Sequence, residues 1–101
     1  MKYVLLGTLN PDFFKKQEKR TTTARAKLKQ LGIKIESVHY TQGPYDFVDV
    51  VDAPNPESML AFSIWYGEQG YGRLESLPAF DERTMVKSLQ GAGMRRARAS
   101  R

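Results

Sequence analysis

The chain has 101 residues, 41% of them hydrophobic and 27% charged, the size and balance of one ordinary globular domain, which excludes a second independent core. Sixteen basic against eleven acidic side chains leave a formal charge of +5, a figure that invites a nucleic-acid reading until its location is known. The absence of cysteine excludes disulfides, thiolate zinc sites and cysteine nucleophiles, and the single histidine, His39, cannot build a multi-histidine centre within one chain.

No metal or cofactor is therefore expected. The longest dense apolar run, Met59 to Tyr66, is far short of the roughly 20 residues of a membrane span, so no membrane partner is expected. Val4-Leu5-Leu6 after the initial Met-Lys is too short for a signal-peptide core, and with no cysteine this favours the cytoplasm.

Residues 2–8 are β-branched, aromatic and apolar and end at Asn10-Pro11, which predicts a first strand and a turn. Asp12 to Leu31 is helical in composition, with Gly32 at the expected C-terminal cap. Thr21-Thr22-Thr23 reads as an N-cap that restarts the helix after a break near Arg20. Ile33 to Thr41 and Tyr45 to Asp52 predict an antiparallel hairpin around Gln42-Gly43-Pro44. Asn55-Pro56-Glu57 opens a second helix that runs to about Gln69. Tyr71 to Phe80 predicts the last strand, and Asp81-Glu82 a short helix ending near Leu89. The domain is expected to span residues 1–89, with 90–101 a disordered basic tail that carries four arginines.

The order βαββαβ is that of the ferredoxin-like α+β sandwich, a four-stranded antiparallel sheet with two helices on one face. The other sheet face also needs cover. In the third strand the sets Tyr45, Phe47, Asp49, Val51 and Asp46, Val48, Val50, Asp52 are both mixed, and neither suits bulk water alone. Between Met59 and Tyr66 the second helix is more apolar than one sheet-facing stripe can hide. Both features predict self-association.

Tyr40-Thr41-Gln42-Gly43-Pro44-Tyr45-Asp46-Phe47-Val48 carries a signature. With Gly43, Tyr45 and Asp46 as its Gly-x-Tyr-Asp element, the chain resembles the GYD-domain family over about residues 2–85. The resemblance implies kinship with dimeric α+β barrels, in which two ferredoxin-like sheets face each other, and brings no assigned reaction. Leu74, Glu75 and Ser76 stand where such proteins tend to carry threonines in the closing strand.

Asp46 reads either as a carboxylate poised against His39 or Tyr40 or as an acceptor for turn backbone. A two- or four-residue connection sets Thr41 opposite it, a three-residue one Tyr40. His39 is the one side chain whose ordinary pKa lies near neutrality, so His39 and Asp46 are the catalytic candidates if the chain is an enzyme, a cofactor-free isomerase or oxygenase of the barrel type. Tyr3, Tyr40, Tyr45, Phe47, Trp65, Tyr66 and Tyr71 supply either pocket walls or core and interface. From these we take Tyr3, His39, Tyr45, Asp46 and Phe47 as ligand-binding candidates and Phe62, Trp65 and Tyr66 as interface candidates, with Trp65 the anchor.

Residues 15–34 carry +7 and residues 36–89 carry −6, so the body is polarised and nearly neutral, and the tail supplies most of the excess. Lysines spread around a helix form a solvated face, which disfavours nucleic acid as a partner and leaves a weak binder of nucleic acid or anionic surfaces as an alternative. The leading expectation is a homo-oligomer that binds a small molecule in or beside its intersheet cavity.

Overall fold

The computed structural model describes residues 1–94. Strand β1 (Lys2–Leu9) leads through a 3-10 turn (Pro11–Phe13) into helix α1 (Gln17–Gln30); β2 (Lys34–Tyr40), β3 (Phe47–Asp52), α2 (Pro56–Glu68), β4 (Gly72–Pro78) and α3 (Glu82–Gly91) follow. The sheet order is β2-β3-β1-β4 with every neighbouring pair antiparallel, the ferredoxin-like topology. The chain is α+β.

Period-two alternation sets the layers. Tyr3, Leu5 and Gly7 of β1 point at the helices and are buried, and their partners Val51, Asp49 and Phe47 share that face. Leu5, Val51, Met59 and Tyr66 are the large side chains most completely buried, with Leu28, Ile33 and Phe62 around them. Each buried apolar side chain of this size contributes about 1.5–3 kcal/mol before entropy is subtracted. The opposite row, Val4 and Leu6 against Val50 and Val48, faces away from the helices and is half-buried.

Two helix starts follow their sequence signals. Asn55 accepts the Ser58 N–H at 2.8 Å with Pro56 in the first turn, and Asp81 accepts the Thr84 N–H at 2.8 Å. The restart expected near Arg20 is not there. The interruption falls at residues 14–16, after the 3-10 turn, and the threonines lie inside α1, where Thr23 Oγ1 donates to the Lys19 carbonyl at 2.9 Å. Bonding back to the preceding turn makes a cap unnecessary. Strands β3 and β4 are shorter than expected, and α3 runs to Gly91 with Ala92 as its C-cap, so Gln90 and Gly91 are helical; residues 95–101 of the stretch expected to be disordered lie outside the described residues.

The motif hairpin takes the four-residue connection. Tyr40 pairs with Phe47, and the Thr41 N–H donates to the Asp46 carbonyl at 2.9 Å. Gly43 has φ +110°, a conformation that L side chains resist.

Candidate functional site

Asp49 is the anomaly of β3. It stands between Phe47 and Val51 on the row under the helices, opposite Leu5 on β1 and Val38 on β2. A carboxylate there loses water without gaining a salt bridge among the described residues. Its Oδ1 is buried and has no hydrogen-bond partner within the described residues.

Three further polar groups reach the same space from the helices. Helix α1 stands off from the sheet and lines a cavity of about 50 Å³ with Arg20, Thr21, Ala24, Arg25 and Leu28. The floor is Leu5, Ile35, Val38, Phe47 and Asp49, with Phe62, Tyr66 and Leu74 as the far wall and Tyr40 among the lining. Arg20 is 6% exposed, with its guanidinium carbon 5.8 Å from the Phe47 ring centroid. It donates from Nη2 to Gln17 Oε1 at 3.0 Å, and Gln17 Nε2 donates to the Tyr40 hydroxyl at 2.8 Å. This relay holds the side chain, while Nε, like Thr21 Oγ1 and the Tyr66 hydroxyl, has no hydrogen-bond partner among the described residues. Phe47 itself lies flat against Gly7, where an added Cβ would sit 2.0 Å from its ring.

Burial pushes the Asp49 carboxyl up to about 6, against the pull of Arg20, Arg25 and His39. Burial also pushes the Tyr66 phenol up to about 12, again opposed by Arg20. At neutral pH the cleft thus holds a fixed cation, a phenol that stays a donor and a carboxylate close to its titration range. A volume of 50 Å³ admits a few water-sized groups, since one needs about 10–15 Å³.

The sequence candidates scatter. Phe47 lines the cleft, whereas Tyr3 is core, its hydroxyl 3.5 Å from Met1 Sδ. His39 is exposed opposite Val48 on the sheet face away from the helices. The Tyr45 hydroxyl lies 3.4 Å from both carboxylate oxygens of Glu75, which stands opposite Leu6 on β1. Asp46 does not meet His39 within the chain: its Oδ2 accepts the Leu9 N–H at 2.7 Å and its own N–H donates to the Gly7 carbonyl at 2.7 Å. The carboxylate replaces the missing ladder partner of β1, because the loop leaves β3 there. Asp46→Ala should accordingly lower stability by about 1–3 kcal/mol in urea titrations while leaving the α1 cleft intact.

Two of the three interface candidates lie in the interior of the chain. Phe62 and Tyr66 are 3% and 2% exposed, so their surface is consumed inside the chain, and Tyr66 belongs to the cleft. Trp65 is half-buried, and its ring centroid lies 5.9 Å from that of Tyr71; the large apolar residues that α2 exposes are Leu60 and Ile64. Arg20, Thr21 and Asp49 were absent from the sequence candidates. A lone acid in the apolar row Phe47-Asp49-Val51 was the available signal for Asp49; nothing local marked Arg20 among seven other cations between residues 15 and 34.

Among the described residues no three His, Cys, Asp or Glu side chains are grouped to hold a metal, and no helix is long and apolar enough to cross a membrane.

A four-stranded antiparallel sheet in this order, covered on one face by two helices with a polar cleft beneath the first, defines a ferredoxin-like α+β domain. The chain belongs to the GYD-domain family, whose model matches residues 3–89. Its fold is also similar to that of 5-chloro-2-hydroxyhydroquinone dehydrochlorinase from Burkholderia phenoliruptrix AC1100, solved in complex with 2,5-dihydroxybenzoquinone. The TM-score is 0.57 at 11% identity, covering 83% of this chain and 98% of that one, a likeness of fold. None of the curated proteins compared matches the sequence.

Proposed function

We propose that this protein binds a small molecule in the cleft beneath α1 and does so as a homo-oligomer. One observation carries the binding reading: four polar groups, from α1, β3 and α2, line one largely apolar cavity, each with a buried atom that has no hydrogen-bond partner among the described residues. Such groups cost about 1–3 kcal/mol each when left unpaired, a cost that a ligand with matching oxygens removes. Arg20, Thr21 and Tyr66 offer donors and Asp49 an acceptor, so the complementary ligand is a small, flat compound with two or more oxygens. The bound dihydroxybenzoquinone of the fold neighbour is a compound of this description and supports the reading.

Thermal denaturation with dihydroxybenzoquinone, catechol, pyruvate and acetylacetone at millimolar concentration tests it. At least one should raise the wild-type midpoint by several degrees, a shift that Arg20→Gln abolishes. A wild-type midpoint unmoved by all four would overturn the reading.

The second copy is assigned to the sheet face away from the helices. Val4, Leu6, Val48 and Val50 form its apolar centre, Leu77 extends it at 43% exposure, and Lys2, Glu36, Asp52, His39 and Glu75 stand around it. An apolar centre with a polar rim is the anatomy of a subunit contact. Native mass spectrometry should give a dimer or a multiple of it, and Val50→Glu should give a folded monomer; a wild-type monomer at tens of micromolar would exclude the assembly.

A further inference from the structure

We propose that the cleft enolises a small carbonyl compound, an α-keto acid or β-diketone, with Asp49 as the base that takes the α-proton and Arg20 and Tyr66 as the donors that hold the oxygens. The proposal rests on the binding reading above and adds turnover to it.

The residue types and their placement carry the inference. Enolisation needs a base facing a C–H bond and donors facing the oxygen on which charge develops, in a site that excludes water. Asp49 is the carboxylate of the cleft, and its row places it on the sheet floor. Arg20 and Tyr66 come from the two helices above that floor, 6% and 2% exposed, each with a donor that has no partner among the described residues. A flat substrate lying between floor and helices thus meets a base on one side and donors on the other. The apolar walls Leu5, Ile35, Val38 and Leu74 lower the local dielectric around the donors and so strengthen the hydrogen bonds they make.

The step balances without a co-reactant. Asp49 removes the α-proton, the C–H electron pair forms the C–C double bond, and the carbonyl π pair moves onto the oxygen held by Arg20 and Tyr66. Return of the proton from Asp49 to the same carbon regenerates the ketone, and its transfer to a conjugated position isomerises the substrate. Tyr66 stays protonated throughout the neutral range, since burial holds its phenol well above the usual value, so it acts as a donor. The groups that bear on Asp49 are Arg20 and Arg25 of α1, His39 of β2 and Tyr66 of α2. Burial outweighs the cations and leaves the carboxyl with more basicity than an ordinary aspartate, which favours proton abstraction.

Exchange of α-hydrogen for deuterium in pyruvate and acetylacetone, followed by proton NMR in heavy water with the purified full-length chain, reads the step directly. Wild type should exceed the buffer rate by about a hundredfold or more. Asp49→Asn, which keeps an oxygen acceptor, should lose that gain while the ligand still raises the melting midpoint, and Tyr66→Phe should lose about tenfold or more. The wild-type rate should rise with pH through about 6, a dependence that Asp49→Asn removes. A ligand-induced shift with no exchange above buffer overturns enolisation and leaves binding standing. No shift and no exchange overturns both. Exchange undiminished in Asp49→Asn assigns the base elsewhere and overturns the proposal.

Discussion

Asp49→Asn is expected to flatten the pH dependence of stability between about pH 4 and 7. The folded-state pKa of Asp49 is raised from 3.8 to about 6, so between those values the folded chain binds more protons than the unfolded one. Stability therefore falls as pH rises through this window and levels off above it. A shift of about two units corresponds to about 3 kcal/mol at most, part of which water at the half-buried carboxyl takes back. At pH 4 wild type and Asp49→Asn should be nearly equal, and at pH 8 the variant should be the more stable by about 1–3 kcal/mol. Urea titrations at five pH values on both proteins measure the difference, in which all other titrating groups cancel. Parallel curves would mean that water reaches Asp49 freely. A residue that costs stability at the pH where the chain works is the expected signature of a site kept for chemistry.

Gly72→Ala is expected to abolish cooperative folding. Gly72 opens β4 at φ +152°, and a Cβ there would lie 1.8 Å from the Thr8 carbonyl oxygen on β1. Thr8 and Leu9 are backbone neighbours at the end of β1, where the edge strand β4 begins, so relief requires parting the start of β4 from β1, at a cost near the ~4 kcal/mol reached by exceptional substitutions. Gly67→Ala is the matched control: Gly67 lies in α2 with nothing within 4 Å of an added Cβ. It should gain about 0.5–1 kcal/mol from helix propensity. Circular dichroism during urea titration distinguishes the two, and a cooperative transition in Gly72→Ala close to that of wild type would contradict this account.

Much of the fold was legible because its signals are local. Asn55-Pro56 and Asp81 mark helix starts through side-chain oxygens that reach backbone N–H groups three residues on. Gly43 marks a turn through its φ. The position of the break before α1 was less legible, because threonine hydroxyls serve equally as caps and as partners of the preceding turn. Asp46 looked like a reactive carboxylate on sequence grounds and is bonded to Leu9, a residue 37 positions earlier, which no local pattern announces.

By itself the sequence determined the order of elements, the antiparallel hairpin at Gly43, the family, and the two mixed rows of β3, since each depends on neighbours within a few residues or on alternation along one strand. Only the tertiary structure decided which polar groups meet. Arg20, Asp49 and Tyr66 are brought together because α1 stands off from the sheet while α2 packs on it closely. Phe47 packs over Gly7 and against Tyr66, contacts that act across the core between residues far apart in the chain and leave no periodic mark in it.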